Sequence, residues 1–127
     1  MMRRLLCFLL PALLALSLAG CAVQHVPAEL APSAAAAQGR ASVLTQELEL
    51  QLATGYRRTL AGGSRWTHAG RIAQGDVYRP YQSVFTLEGS HVHEAYLVVE
   101  GGRLVGFYLP AEKGFSPLQP TLPFSLQ

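Results

Sequence analysis

The apolar positions of this chain follow three patterns in succession. From Leu5 to Leu18 (LLCFLLPALLALSL) they form one run broken only by Pro11 and Ser17. Leu48, Leu50 and Leu52 then alternate with Glu47, Glu49 and Gln51, the period of two that marks a half-buried strand, although these residue types would also suit a helix. The clearest pattern lies between His91 and Leu109, where HVHEAYLVVE and RLVGFYL flank Gly101-Gly102. A Gly-Gly pair between two β-rich runs predicts a hairpin with a type I′ turn, whose central residues both need positive φ. A two-residue loop pairs Glu100 with Arg103, Val99 with Leu104, Val98 with Val105 and Tyr96 with Phe107. That register sets opposite charges together at the turn and apolar residues together beyond it. Ala95, Leu97, Val99, Leu104 and Tyr108 then share one face, and Tyr96, Val98, Val105 and Phe107 the other. A hairpin apolar on both faces belongs in the middle of a layered β structure.

Further strands follow from the same reading. Ser83 to Leu87 (SVFTL) ends at Glu88-Gly89-Ser90, and Ser64 to Ala73 (SRWTHAGRIA) reads as a strand bent or bulged at Gly70. Gly75-Asp76 reads as a turn, followed by a short Val77-Tyr78 strand that Pro80 ends. The fold class is therefore mainly β: a small antiparallel sandwich or barrel of about five or six strands. The tail FSPLQPTLPFSLQ, from Phe115 to Gln127, carries three prolines that argue against regular structure. Its Leu118, Leu122, Phe124 and Leu126 argue for an extended segment lying across the domain, or for one docked on a partner.

The opening run is too short for a membrane span, which takes about 20 apolar residues. Preceded by Arg3 and Arg4, it has the form of a signal-peptide core. It ends at Leu18-Ala19-Gly20-Cys21, which resembles the lipobox of bacterial lipoproteins at every position. The resemblance implies a diacylglycerol on the Cys21 thiol, cleavage between Gly20 and Cys21, and acylation of the new amine. Two or more acyl chains hold a protein stably on a membrane, where one does not. Ala22 follows the cysteine, and the lack of an Asp there implies transfer to the inner leaflet of the outer membrane, facing the periplasm. The expected organisation is a signal peptide over 1–20, lipidated Cys21 and a flexible linker over 21–40, and a β-domain over 41–127. The linker, rich in Ala, Pro, Gln and Ser, has an expected r.m.s. reach of about 25 Å.

Removal of the leader changes the charge picture. The precursor has ten Lys and Arg against eight Asp and Glu; without Arg3 and Arg4 the two signs balance. A near-neutral domain lacks the electrostatic attraction that dominates nucleic-acid binding. Cys7 leaves with the leader, so the mature chain keeps one cysteine, Cys21, and forms no internal disulfide.

Candidate chemistry is sparse. No nucleophile motif such as G-x-S-x-G and no evident carboxylate pair is present, and no cofactor is implied. Asp76 reads as a turn former, and the chain as a non-enzyme. His91 and His93 project from one strand face and form a possible zinc pair, with His68 and then Glu88 as further ligands. His93 and Glu94, being adjacent on a strand, face opposite ways. Arginines interleave with aromatics at Tyr56-Arg57-Arg58, Arg65-Trp66, Arg71 and Tyr78-Arg79-Pro80-Tyr81. Arg65, Trp66, Arg71, Tyr78, Arg79 and Tyr81 form a candidate binding surface for a glycan or peptidoglycan; the alternative reading places Trp66 and the tyrosines in the core or at strand edges with arginines lying alongside. The phrases GDVYRP, VFT and HEAYLVV-GG-LVGFYLP, within Trp66 to Leu118, resemble small uncharacterised lipoproteins of proteobacteria, and the resemblance brings no activity with it. These readings converge on a lipid-anchored, non-catalytic β-domain that binds another envelope component, a protein; a glycan-binding module and a periplasmic zinc protein are the alternatives.

Overall fold

The computed structural model describes residues 22–34 and 38–127. The expected leader, the expected cleavage site at Gly20 and the expected lipid attachment at Cys21 lie outside the described residues. The fold class is as expected, mainly β and antiparallel throughout. The strands number twelve among the described residues rather than five or six, because several segments too short or too proline-rich to register in the sequence are paired.

The centre is a curled five-stranded sheet. β6 (Arg65–Ile72) and β7 (Gly75–Pro80) form a hairpin, β10 (Tyr96–Glu100) pairs with β7, β11 (Arg103–Leu109) with β10, and β12 (Gly114–Pro123) with β11. Two small hairpins flank it: β4 (Leu48–Gln51) with β5 (Arg57–Leu60), and β8 (Thr86–Glu88) with β9 (Val92–Glu94). The alternating leucines around Leu50 are thus a strand, with Leu50 only 1% exposed. The run His91–Glu100 is not one strand. It splits at Ala95, whose N–H donates to the Phe85 carbonyl, so its first half pairs with β8 and its second with the central sheet. Asp76, expected in a turn, sits within β7.

The Gly101-Gly102 hairpin forms with Glu100 opposite Arg103 and Val99 opposite Leu104, as the turn demands. Beyond that a bulge shifts the register, so Val98 meets Gly106, Leu97 meets Phe107 and Tyr96 meets Tyr108. The cause lies in the third strand. A Cβ on Gly106 would collide with the Ser116 carbonyl oxygen and with the Phe115 ring, 2.6 Å from its Cε2. Only glycine lets β12 approach there, and the extra residue accommodates the close contact. The shift exchanges two aromatics: Phe107 joins Leu97 and Leu104 on the first face, and Tyr108 joins Val98 on the second.

Both faces of the sheet are consequently apolar. The first face packs Leu97, Leu104, Phe107 and Leu109 with Leu50, Leu60 and Leu87 of the small hairpins and with Phe85 just before β8. The second gathers Ala69, Ile72, Val77, Val98, Tyr108 and Phe115.

Described residues of the stretch expected to be a flexible linker pair with this sheet. β1 (Val26–Pro27) pairs with β12, and β2 (Ala31–Pro32) with β6; Ala28 and Leu30 between them pack on the second face. β3 (Ser42–Val43) also pairs with β6, and Val23 is buried in the first-face core. A flat sheet in this order would hold β1 and β2 six strand spacings apart, roughly 29 Å. The five residue steps from Val26 to Ala31 reach at most about 17 Å. The sheet must therefore curl toward its second face, and the result is a half-barrel whose two edges are both taken by one short segment. Gly70 and Gly106 mark where backbones touch: a Cβ on Gly70, at φ 155°, would strike the Ala31 carbonyl.

The tail is likewise regular, contrary to what its prolines suggested. β12 has β1 beside it only at Gly114 and Phe115, so from Ser116 onward its outer side is a sheet edge, where a missing N–H does no harm. Pro117 opposes Gly106, Pro123 opposes Arg103, and Pro120 falls in the irregular stretch between those pairs.

Candidate functional site

β7 and β10 lie side by side, and at the open end of the second face they present Arg79 and Tyr96. Arg79 shares its face with Val77, and Tyr96 with Val98, by strand alternation. Thr67, opposite Arg79 on β6, completes the floor. Tyr81, Gln82, Ser83 and Glu94 wall an open cleft of about 380 Å³. The apolar second face therefore ends in a polar mouth.

The cleft holds one charge of each sign. Arg79 and Glu94 are both exposed, and among the described residues neither side chain has a hydrogen-bond or ion-pair partner. Partial burial, then the Glu94 carboxylate, push the Tyr96 phenol above its ordinary range, and Arg79 opposes them. The phenol stays protonated at neutral pH and can donate a hydrogen bond. At the rim the Arg65 guanidinium stacks 4.3 Å above the Tyr81 ring, while the Tyr81 N–H donates to the Arg65 carbonyl at 2.9 Å. That stacking fixes Tyr81 and leaves its other ring face for contact.

Of the six residues grouped by sequence, three meet here: Arg65, Arg79 and Tyr81. Trp66 does not. It is 4% exposed in the first-face core, edge-on to Phe85 at 5.9 Å, with its indole N–H donating to Ser64 Oγ. One step along a strand from Arg65 turns a side chain to the other face. Tyr78 is half-buried and packs edge-on against His68. Arg71 stands at the far end of β6, clamped between Asp76 at 3.3 Å and Glu100 at 3.0 Å. The six are one stretch of sequence but three places in the fold. Glu94 and Tyr96 were missed because their contribution depends on β10 lying beside β7, a pairing with no local signal.

The histidines separate too. His68 Nε2 lies 3.0 Å from Asp76 Oδ1, His91 is exposed, and His93 Nδ1 donates to Glu112 Oε1 at 2.6 Å. Glu88 is paired opposite Val92 in the β8–β9 hairpin. Among the described residues no three His, Cys, Asp or Glu gather as a metal-ligand set. The His93–Glu112 pair ties β9 to the β11–β12 turn.

No family model matches the chain. Nor does any curated protein or solved structure.

The His93–Glu112 contact has a consequence in acid. Partial burial tends to raise the Glu112 pKa, but the hydrogen bond from His93, its own backbone N–H and the charges of His93 and His25 outweigh this and lower it. A carboxyl lowered in the folded state stabilises the fold above its unfolded pKa, about 4.3. That contribution is lost as pH falls through the lower, folded value. Urea unfolding of the wild type and of Glu112→Gln is expected to show a stability gap above about pH 5 that narrows toward about pH 3. A gap independent of pH over that range would mean that the carboxylate charge contributes nothing there.

Proposed function

We propose that this chain is a lipid-anchored, non-catalytic β-domain of the bacterial envelope that binds another envelope protein through the Arg79–Tyr81–Tyr96 cleft. The anchor reading rests on Leu18-Ala19-Gly20-Cys21. The binding reading is carried by one observation: an exposed cation and an exposed carboxylate, both unpartnered among the described residues, stand beside two tyrosines in an open cleft. Charges left free in a recess suit a partner that supplies the opposite charges, and tyrosines offer rigid amphipathic contact area.

A protein segment fits this better than a sugar chain. Glycan platforms depend on exposed aromatic faces, and the largest ring of the set, Trp66, is in the core. Of the rings that line the cleft, only Tyr81 and the half-buried Tyr96 remain. The mixture of charges in the cleft matches a polypeptide surface, where both signs are common.

Crosslinking of the lipidated full chain in its native envelope tests the proposal, with a photoactivatable residue in place of Gln82 at the cleft. One reproducible protein adduct, reduced when Cys21→Ser releases the chain from the membrane, is the expected result. Capture that is undiminished by Cys21→Ser would remove the role of the anchor. An absence of protein adducts together with co-sedimentation on purified sacculi would replace the protein partner with peptidoglycan.

A further inference from the structure

We infer that the domain rests directly on the bilayer carrying its anchor, and that the surface meeting the lipid headgroups is the Leu52–Tyr56 turn together with Pro117–Gln119 of β12. The inference rests on the lipidation of Cys21 proposed above. It starts from the place where the chain leaves the fold. Val23 is 8% exposed and belongs to the same core as Leu50 and Leu118. Cys21 is two residues before it, so the lipid-bearing α-carbon lies within about 7 Å of a buried one. Among the described residues, the part of the expected spacer of about 25 Å that follows Val23 is tied to the sheet, since Val26–Pro27 and Ala31–Pro32 are sheet strands.

This short connection restricts how the domain can sit. A domain of about 100 residues has a radius of gyration near 13 Å. An anchor emerging from one side cannot bend round such a body in 7 Å, so the side from which it emerges faces the membrane.

The chemistry of that side suits the position. Ala22 and Val23 line an apolar recess of about 170 Å³ with Leu52, Ala53, Pro117 and Leu118. The other residues around it, Gln24, Thr54, Ser116 and Gln119, carry no charge, so no carboxylate in the recess repels an anionic headgroup. The turn that lines the recess is closed by the Leu52 N–H donating to the Tyr56 carbonyl at 2.9 Å, so the neutral apolar patch is held on an ordered element. The recess opens on the side of the first-face core, whereas Arg79 and Tyr96 belong to the second face. A domain seated this way turns its cleft from the bilayer toward the periplasm.

The test uses mature lipidated protein in vesicles of phosphatidylethanolamine and phosphatidylglycerol. Once acylated at Cys21, the mature chain has no free thiol. Ala53→Cys and Gln119→Cys at the recess, and Gln82→Cys at the cleft, can each carry one fluorophore. With headgroup spin-labelled lipid in the vesicles, labels at 53 and 119 are expected to be quenched several-fold more than the label at 82. Equal quenching at all three positions, or stronger quenching at 82, overturns the inference. Mass spectrometry of the same samples keeps the two levels apart. An unmodified Cys21 overturns the anchor and this inference together, whereas an acylated Cys21 with equal quenching overturns only the docking face.

Discussion

Replacing Phe107 with alanine is expected to remove about 3–5 kcal/mol of unfolding free energy, the usual cost of deleting a buried aromatic side chain. Phe107 is fully buried and sits at the centre of the first-face core, its ring tilted against Phe85 at 6.1 Å. It lies in β11, which has a neighbour on each side, so the backbone cannot readily collapse into the space. A domain of this size has a total stability of about 5–15 kcal/mol, and the described residues include no cysteine. The variant therefore falls close to the limit of folding, with a drop in midpoint temperature of the order of 15 °C or more. Urea and thermal unfolding measure this directly. A cost below about 1 kcal/mol would show that Phe107 does not occupy the packed centre.

The second large effect concerns binding. Arg79→Ala is expected to weaken capture of the partner by about 10- to 100-fold, or roughly 1.4–2.8 kcal/mol, the range for a charged contact at the centre of an interface. Its effect on stability is expected to be small, within about 0.5 kcal/mol, as for surface substitutions away from special features. Arg79 is exposed, and its side chain has no hydrogen-bond or ion-pair partner among the described residues. Arg71→Ala supplies the contrast. Arg71 is clamped by Asp76 and Glu100 and stands away from the cleft, so its removal should leave capture intact. Adduct yield at position 82 compares the two variants in one experiment. If Arg71→Ala lost the adduct and Arg79→Ala kept it, the binding face would have to be moved to the far end of β6.

What could be read in the sequence was what neighbouring residues decide between themselves. The Gly101-Gly102 turn, the opposition of Glu100 and Arg103, the bend at Gly70 and the strand at Leu48–Gln51 each have a local cause, and each is present. The bulge after Val99 was illegible because its cause is Gly106 meeting Phe115 and Ser116, residues of another strand. The pairing of Val26–Pro27 was hidden by composition: Ala- and Pro-rich chain is ordinarily solvated, and here it is ordered by two sheet edges that supply its hydrogen bonds. Prolines 117, 120 and 123 misled in the same manner, since their harm depends on whether the outer side of the strand is occupied. The candidate site was half visible. Arg65, Arg79 and Tyr81 stood out by residue type, Glu94 and Tyr96 could be added only with the sheet order in hand, and Trp66 and Arg71 were drawn in by sequence proximity alone.

The pairing of Val26 with Phe115 joins the first strand of the domain to the last. A polypeptide emerges N-terminus first, so β1 has no neighbour until some ninety residues later in the chain, and β2 must wait for β6. Contacts of such long range are slow to form because loop closure precedes any gain from them. Until β12 arrives the growing sheet offers open edges to other chains. A newly made copy is thus most vulnerable to aggregation, and most in need of a chaperone, in the interval before its final strand is delivered.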